Sequence, residues 1–364
     1  MATNNGNTAQ QRLTAQQRAA LFAASTRQHF QMIGTESVSG GAQTVTFRVP
    51  KARILQGLRL LVEADVKVKH ASGTAKALGK FDVYKMLRRV SVDLNNGFSP
   101  IVCGGYEIAL MNTLYPHGEM VQASPNGDTL CKAPASLSAS SSGTSNKIEF
   151  MLDLPLTLNY RDTNGLILAQ NAETSIDCVI DLANAAEIVG NASGYTLEYT
   201  SVKISAMTTT FSVPARSDWF PDLSILKILD TRNETFTAGN AYVKLPTGMI
   251  YRKMVLCFYD ADGNAMTDDD ITSNIEIVMN TADIPYSISP KLLRATNLMQ
   301  SGVKMPEGVY FWSFDWQGII GYGGSRDYVD AERISELAIR FNAAKAGKLV
   351  VASEKLSRLI ASSN

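Results

Sequence analysis

Histidines and cysteines, which most often do metal, acid–base or thiol chemistry, are few in this sequence and lie far apart. No histidine has a second histidine at the spacing of a metal site. The four cysteines form no C-x-x-C pair, which argues against a thiolate zinc site and a disulfide framework. These residues are His29, His70, His117, Cys103, Cys131, Cys178 and Cys257. We predict structural or solvated histidines, and free thiols in a reducing compartment.

An acidic segment at 260–270 has the composition of a calcium loop but not its spacing. An EF-hand loop needs glycine at its sixth position, whereas Gly263 is fourth when Asp260 is first. We predict a hairpin turn followed by a solvated acidic loop. The glycines at 318–324 fit neither a dinucleotide nor a phosphate loop, and no G-x-S-x-G elbow is present. The sequence therefore predicts a protein that is not an enzyme and that needs no metal or cofactor.

Two tryptophans and two aspartates in the last third of the chain have the composition of a carbohydrate site. They are Trp312, Asp315, Trp316 and Asp327. Trp312 and Phe314 share one strand face, whereas Trp316 follows a turn, so packing in a core or an interface is favoured. A β-sandwich carbohydrate-binding or receptor-binding (spike) protein is the alternative that stays open.

The charges of the chain are balanced overall but not at its N-terminus. Lys plus Arg and Asp plus Glu both number 34, so we expect no direct sequence-specific nucleic-acid binding. Residues 1–35 contain three arginines and no acid, which leaves 31 basic against 34 acidic residues in the rest of the chain. The basic character therefore belongs to an N-terminal arm.

This arm is the one segment that predicts a binding role. Thr14-Ala-Gln-Gln17 has the form of a capping box and predicts a helix through Ala24. A frayed terminus is one interpretation, and contact with a neighbouring subunit or an anionic phospholipid surface is the other. The residues predicted to make that contact are Arg12, Leu13, Arg18, Leu21, Phe22, Arg27 and Phe30.

The elements that must carry these residues are mostly strands, because apolar residues alternate with period two. Strands are predicted at 45–49, 60–68, 148–158, 176–182, 242–245, 254–259, 275–279, 309–314, 337–341 and 348–352. A shift of parity within 197–211 predicts a bulge. Two further short helices are predicted, at 106–112 and after Ser289-Pro290. Many strands with few helices indicate an all-β protein of antiparallel sandwiches.

A faint internal repeat indicates that one sandwich is built twice. Residues 47–58 match 243–254, residues 85–88 match 291–294, and residues 172–182 match 331–341, in the same order. Prolines 214 and 221 mark the hinge between the two halves. The predicted segments are an arm (1–35), a first sandwich (36–213), a linker (214–222), a second sandwich (223–353) and a basic apolar C-terminal tail (354–364). We expect 133–146 to be an exposed loop with nothing to bury.

These parts resemble the double jelly-roll major capsid proteins of the tectivirus lineage, icosahedral phages with an internal membrane. Leu13-Thr-Ala-Gln-Gln-Arg-Ala-Ala-Leu21 is similar to the Gln/Ala-rich N-terminal helix of that family. Met305-Pro-Glu-Gly-Val-Tyr-Phe311 resembles a stretch of the second jelly roll. The segment Phe81–Asp93 is more loosely similar to part of the first. The resemblance implies two successive eight-stranded antiparallel jelly rolls in one chain.

The resemblance also implies a function. Three copies would form a homotrimer of pseudo-hexagonal outline that tiles the facets of an icosahedral capsid. The arm would face phospholipid of the internal membrane, and minor capsid and vertex proteins would be further partners. The sequence has no apolar segment of signal-peptide or membrane-spanning type, so we expect synthesis in the host cytoplasm before assembly into the virion.

Overall fold

The computed structural model describes residues 13–95, 97–114, 134–158, 163–169, 175–190, 192–314 and 328–358. Its α-helices are α1 (Ala15–Ser25), α2 (Gly105–Asn112) and α3 (Pro290–Ser301). Short 3₁₀ helices lie at Asp82–Met86, Ala185–Val189, Ser217–Trp219 and Asp268–Asp270. The predicted capping box of α1 is confirmed, since Thr14 Oγ1 accepts from the Gln17 amide at 3.2 Å and Gln17 Oε1 accepts from the Thr14 amide at 2.9 Å.

Strands make up most of the rest of the described chain. Those before residue 212 are β1 (Gln28–Val38), β2 (Thr44–Arg48), β3 (Ile54–His70), β4 (Lys76–Ala77), β5 (Leu87–Leu94), β6 (Phe98–Cys103), β7 (Ser136–Leu137), β8 (Thr144–Pro155), β9 (Ile167–Leu168), β10 (Ile176–Leu182) and β11 (Tyr195–Phe211). Those after it are β12 (Ile225–Phe236), β13 (Gly239–Leu245), β14 (Ile250–Asp260), β15 (Ile275–Met279), β16 (Asp283–Ile288), β17 (Val309–Ser313), β18 (Val329–Asp330), β19 (Leu337–Ala343) and β20 (Gly347–Arg358).

The two halves have the same strand order. In the first half, β1-β11-β3-β8 form one sheet and β2-β10-β5-β6 form the facing one. In the second half, β12-β20-β14-β17 and β13-β19-β15-β16 do the same. Counting the eight main strands of each half along the chain, both halves pair first-eighth-third-sixth and second-seventh-fourth-fifth, which is the jelly-roll order. We call them the first and the second jelly roll.

Each jelly roll has its own core between its two sheets. The alternation in the sequence explains this, because inward positions of β3 such as Leu60 and Val62 are fully buried. The second core is rich in edge-to-face aromatic contacts, with ring centroids of Phe258 and Phe341 4.9 Å apart. The predicted bulge in β11 is confirmed, since its pairing with β3 shifts between Tyr199 and Ser201.

Three sequence expectations are wrong at the level of single elements. Residues 28–35, assigned to the arm, belong to β1, which pairs with β11 along its whole length. Residues 354–358, assigned to a tail, are the end of β20, where Glu354 and Lys355 are buried. The loop over 133–146, of which 134–146 is described, does bury a residue, since Leu137 lies in the first core. In each case the local sequence is polar, and the strand forms because it pairs and packs with residues that are distant in sequence.

Candidate functional site

The histidines described by the structure lie apart, as their spacing in the sequence predicted, whereas Cys103 lies close enough to Cys257 to add to the effect of burial in raising the pKa of the Cys257 thiol. His70 ends β3 and stacks on Tyr195, with ring centroids 4.2 Å apart, while His29 lies on β1. Cys103, Cys178 and Cys257 are free and buried, and burial raises the pKa of the Cys178 thiol to about 12. A thiol with a raised pKa is a poor nucleophile. His117 and Cys131 lie outside the described residues.

The acidic segment forms a hairpin turn followed by a capped loop. Asp260 Oδ1 accepts the backbone amides of Asp262 at 3.0 Å and Asn264 at 2.8 Å. Asp270 accepts from the Thr267 amide at 2.8 Å, and these bonds lower the pKa of Asp270. Among the described residues, no group of three His, Cys, Asp or Glu side chains is placed to hold a metal ion. The carboxylates of Asp260 and Asp270 accept the hydrogen bonds that close these turns.

Trp312 is unavailable for binding a sugar at the surface. It lies on β17, where it is buried in the core of the second jelly roll. Phe314, which follows the strand, is buried in the same cluster. The predicted core packing of Trp312 is thus confirmed, while Asp315, Trp316 and Asp327 lie outside the described residues.

Helix α1 is anchored to the first jelly roll by one aromatic residue. Phe22 is 2% exposed and packs with Ile54 and Leu166, and its ring meets that of Phe211 edge-on at 5.4 Å. Phe22 is therefore a core residue, and its prediction as a contact for membrane or neighbour is wrong. Among the α1 residues whose burial is described, Phe22 alone is buried, so one face of the helix packs on the first jelly roll.

The other predicted contact residues of the arm are more accessible. Arg27 is exposed, and Leu13, Arg18 and Leu21 are partly buried. Phe30 lies on β1 rather than on the arm, is 57% exposed, and has the Arg59 guanidinium 5.9 Å from its ring centroid. Arg12 lies outside the described residues. Within these, no helix is long and apolar enough to cross a membrane.

The two jelly rolls join edge to edge in one continuous sheet. Strand β6 of the first pairs in parallel with β12 of the second, with Ile101 opposite Leu229 and Val102 opposite Asp230. Helix α2, which follows β6, contacts β14 and β20 of the second jelly roll. We call this contact, made by β6 and α2 with β12, β14 and β20, the seam.

The seam encloses a cluster of charged side chains with almost no exposure to solvent. Lys227 Nζ lies 3.6 Å from Glu354 Oε2, and Arg252 Nη1 lies 3.7 Å from Glu354 Oε1. Burial lowers the pKa of Lys227 to about 8, and the Glu354 carboxylate opposes that shift. Lys227 and Lys253 each donate to a carbonyl of the first jelly roll, of Thr157 at 3.2 Å and of Leu114 at 3.1 Å. The cluster therefore fixes the position of the second jelly roll relative to the first.

A cleft of about 1040 Å³ opens beside the seam, between the first and second jelly rolls. Its walls carry Tyr106, Tyr259 and the ion pair of Arg88 with Glu187. Burial raises the pKa of Glu107, which also lines the cleft. The charges of Arg88 and Glu187 neutralise each other, so the cleft gives no reason to assign a charged ligand.

Structural comparison identifies known proteins built in the same way. The STIV MCP aligns with a TM-score of 0.66 at 14% identity, over 91% of this chain and 97% of its own. The capsid of virus PBCV-1 aligns at 0.60 and 11% over 91% and 93%, and the major capsid protein P2 from bacteriophage PM2 at 0.52 and 11% over 93% and 100%. No protein-family model and no curated protein matches the sequence.

This chain has the double jelly-roll fold. The fold predicted from the sequence is therefore confirmed. Two of the three repeat matches also join equivalent strands of the double jelly roll: residues 47–58 and 243–254 both run from the second strand into the third, and 176–182 and 337–341 both lie on the seventh. The third match is wrong, since residues 85–88 run from a 3₁₀ helix into β5 whereas 291–294 lie in the first turns of α3.

Sequence reasoning missed the charged seam of the double jelly roll. Lys227 stands in the run Ile225-Leu-Lys-Ile-Leu229, and a lysine inside such a run was the only available signal. Its carboxylate partner is 127 residues away in the segment interpreted as a tail. No local pattern connects the two.

Proposed function

We propose that this protein is a major capsid protein whose homotrimers have a pseudo-hexagonal outline and tile an icosahedral viral shell. The observation that carries the proposal is the repetition of one jelly roll, in the same strand order, within one chain. Three such chains around a threefold axis present six similar sandwiches, and a six-sided block tiles a facet. The similarity to capsid proteins over nine-tenths of the chain supports this function.

The N-terminal arm is proposed to lie against phospholipid of an internal membrane. It carries Arg12, Arg18 and Arg27 without any acid through residue 35. Each arginine near an anionic surface contributes about 1 kcal/mol, and many copies in a shell add up to firm attachment. Phe22 would anchor α1, and with it the arm, to the first jelly roll of each subunit. Minor capsid and vertex proteins are proposed as further partners in the virion, after synthesis in the host cytoplasm.

Electron microscopy of the purified protein tests the capsid proposal. The expected particle has threefold symmetry and a hexagonal outline, with a mass of three 39.5 kDa chains by light scattering. A monomer with sugar-binding activity on a glycan array would instead support the carbohydrate-binding alternative. An elongated trimer present in few copies per particle would support a spike.

Vesicle binding tests the arm separately. Arg12→Glu combined with Arg27→Glu should weaken binding to vesicles with anionic phospholipid, and the wild-type binding should weaken with salt. The matched control is Lys244→Glu with Arg333→Glu, since both of these cations are exposed and belong to the second jelly roll. Equal effects of the two pairs would remove the arm from the proposal. A deletion should stop at residue 12, because Phe22 and β1 belong to the folded jelly roll.

A further inference from the structure

In the seam, only one edge strand of each jelly roll is paired with the other jelly roll. The seam uses the β6 edge of the first and the β12 edge of the second. The equivalent strands, β16 in the second and β1 in the first, each end a sheet and have no neighbour on their outer side among the described residues. Strands β1 and β16 belong to different sheets and do not pair with each other within the chain. A second copy can supply this contact.

Strand registers show which residues of β1 and β12 are equivalent. The pairing of β3 with β11 skips Gln56, and the pairing of β14 with β20 skips Arg252, so both third strands bulge at the same place. Following the ladders outward from these bulges places Phe30 of β1 where β12 has Leu229. Leu229 is 4% exposed because it lies in the seam, whereas Phe30 is largely exposed.

The helices that follow β6 and β16 are equivalent as well. Gly104 and Ser289 are their N-caps, and a buried asparagine lies eight residues later in each. Asn112 donates to a carbonyl of β8 at 2.8 Å, and Asn297 donates to a carbonyl of β17, the equivalent strand, at the same distance. By this register, Tyr286 of β16 takes the place of Ile101 of β6, three residues before the cap.

The sheet face that α2 covers in the second jelly roll is uncovered in the first. On β14 and β20, the outward residues Val255, Cys257 and Ala352 are buried in the cluster that contains α2. The equivalent residues of the first jelly roll, Arg59, Leu61 and Met207, are only partly buried. The chain therefore has one covered and one open copy of the same surface.

Exposed apolar side chains concentrate on the two surfaces left over. Of nine large hydrophobic residues that are exposed in the described chain, six lie on β1, β16 or α3. They are Phe30, Met32, Ile284, Leu292, Leu298 and Met299. Met299 is 87% exposed and takes the place of Leu114, which is fully buried beside the seam. An apolar patch of this kind marks an interaction site.

We propose that β16 and α3 of one copy dock on β1 and the outer face of β3 and β11 of a second copy, repeating the seam between subunits. The proposal rests on the capsid function and names the surfaces that close its trimer. The contact is head to tail, so it forms a ring only if the rotation closes. A turn of about 60° at every seam closes after six jelly rolls, which is three copies.

The new contact differs from the seam in charge. The residues equivalent to Lys227, Asp230 and Glu354 are Gln28, Gln31 and Thr209. On the surface proposed to bind a second copy, these polar residues replace the buried charges of the seam, Arg59 is already paired with Asp153 at 3.1 Å within its own chain, and α3 contributes leucine and methionine. We expect the association of copies to be insensitive to salt, because apolar burial is not screened.

Disulfide trapping tests the pairing directly. In the double variant Phe30→Cys with Tyr286→Cys, oxidation should link copies head to tail and yield a covalent trimer with its dimer precursor, and nothing larger. Opposed residues of neighbouring strands are close enough for a disulfide. Phe30→Cys with Tyr242→Cys is the matched control, since Tyr242 is exposed on β13, away from these surfaces. Each single variant controls for the native cysteines.

Light scattering on the same samples separates this proposal from the capsid function. A trimer that does not crosslink would overturn the pairing and leave the capsid function standing, whereas a monomeric wild-type protein would overturn both. Covalent oligomers larger than a trimer would overturn the closed ring. As a second measurement, Phe30→Gln or Met299→Gln should weaken association about 30-fold with an unchanged melting curve of the monomer, and Tyr242→Gln should not.

Discussion

Glu354→Gln should destabilise the protein far more than its conservative character indicates. The side chain of Glu354 is fully buried, and it is the acceptor that faces two cations in the seam. Glutamine keeps the size and shape of the side chain but removes its charge. Lys227 and Arg252 would then remain in a dry environment without the carboxylate.

The expected size of the effect follows from the two distances. At 3.6 and 3.7 Å and an effective dielectric constant of about 20, each contact with Glu354 is worth about 4 to 5 kcal/mol before any relaxation. Relaxation lowers the sum, because Lys227, whose pKa burial already lowers to about 8, can release its proton. We expect a loss of about 3 to 5 kcal/mol in the free energy of unfolding near neutral pH, as for other broken buried pairs.

Urea unfolding of the wild type and the variant measures this loss. Glu234→Gln is the control, because it removes the same charge from a partly exposed ion pair with Arg232, 2.6 Å long, on the neighbouring β12. We expect a loss of at most about 1 kcal/mol there. The loss in Glu354→Gln should shrink from pH 7 to about pH 9, since Lys227 becomes neutral in that range. Equal losses in the two variants, or a loss that does not depend on pH, would refute the role assigned to the cluster.

Three further predictions concern single buried residues. Phe22→Ala should lower the free energy of unfolding by about 3 to 5 kcal/mol and release α1 to added protease, because Phe22 is the anchor of that helix. Asn297→Ala should cost about 2 to 4 kcal/mol in urea unfolding, since it leaves the amide and carbonyl of Phe311 without their bonds of 2.9 and 2.8 Å. Burial raises the pKa of Cys178 from 9.0 to about 12, so the thiol of the unfolded chain loses its proton at a lower pH than the folded one. The free energy of unfolding should therefore fall by up to about 4 kcal/mol as the pH rises from 9 to 12. In thermal melts over this pH range, Cys178→Ala should remove this contribution to the pH dependence of stability.

Strands with one face in a core were predictable, because apolar and polar residues alternate along them. Strands β10 and β15 begin and end where the sequence predicts, at 176–182 and 275–279. The helices were predictable from their first turns, where Thr14 and Ser289-Pro290 give local signals. Such features depend on residues a few positions apart, which a single sequence displays.

Elements at the seam and at the free edges were not predictable in this way. Strand β1 has its large apolar residues Phe30 and Met32 facing outward, so its pattern is that of an arm and not of a half-buried strand. Strand β12 is buried on both faces for its first five residues, and there alternation disappears. The end of β20 carries Lys355, whose Nζ lies 2.5 Å from Asp230 Oδ2, a partner far away in sequence. The structure of these segments is determined by their pairing with residues that are distant in sequence.

The covalent link between the jelly rolls has a consequence for how the proposed trimer would depend on protein concentration. Contacts through β6 and β12 form as each chain folds, so they lose no translational freedom of separate molecules and persist at any dilution. Charges requiring strict registration, such as Glu354 with Lys227, are found in this permanent joint. The proposed ring of three chains would therefore hold three contacts that dilution cannot break, alternating with three that it can.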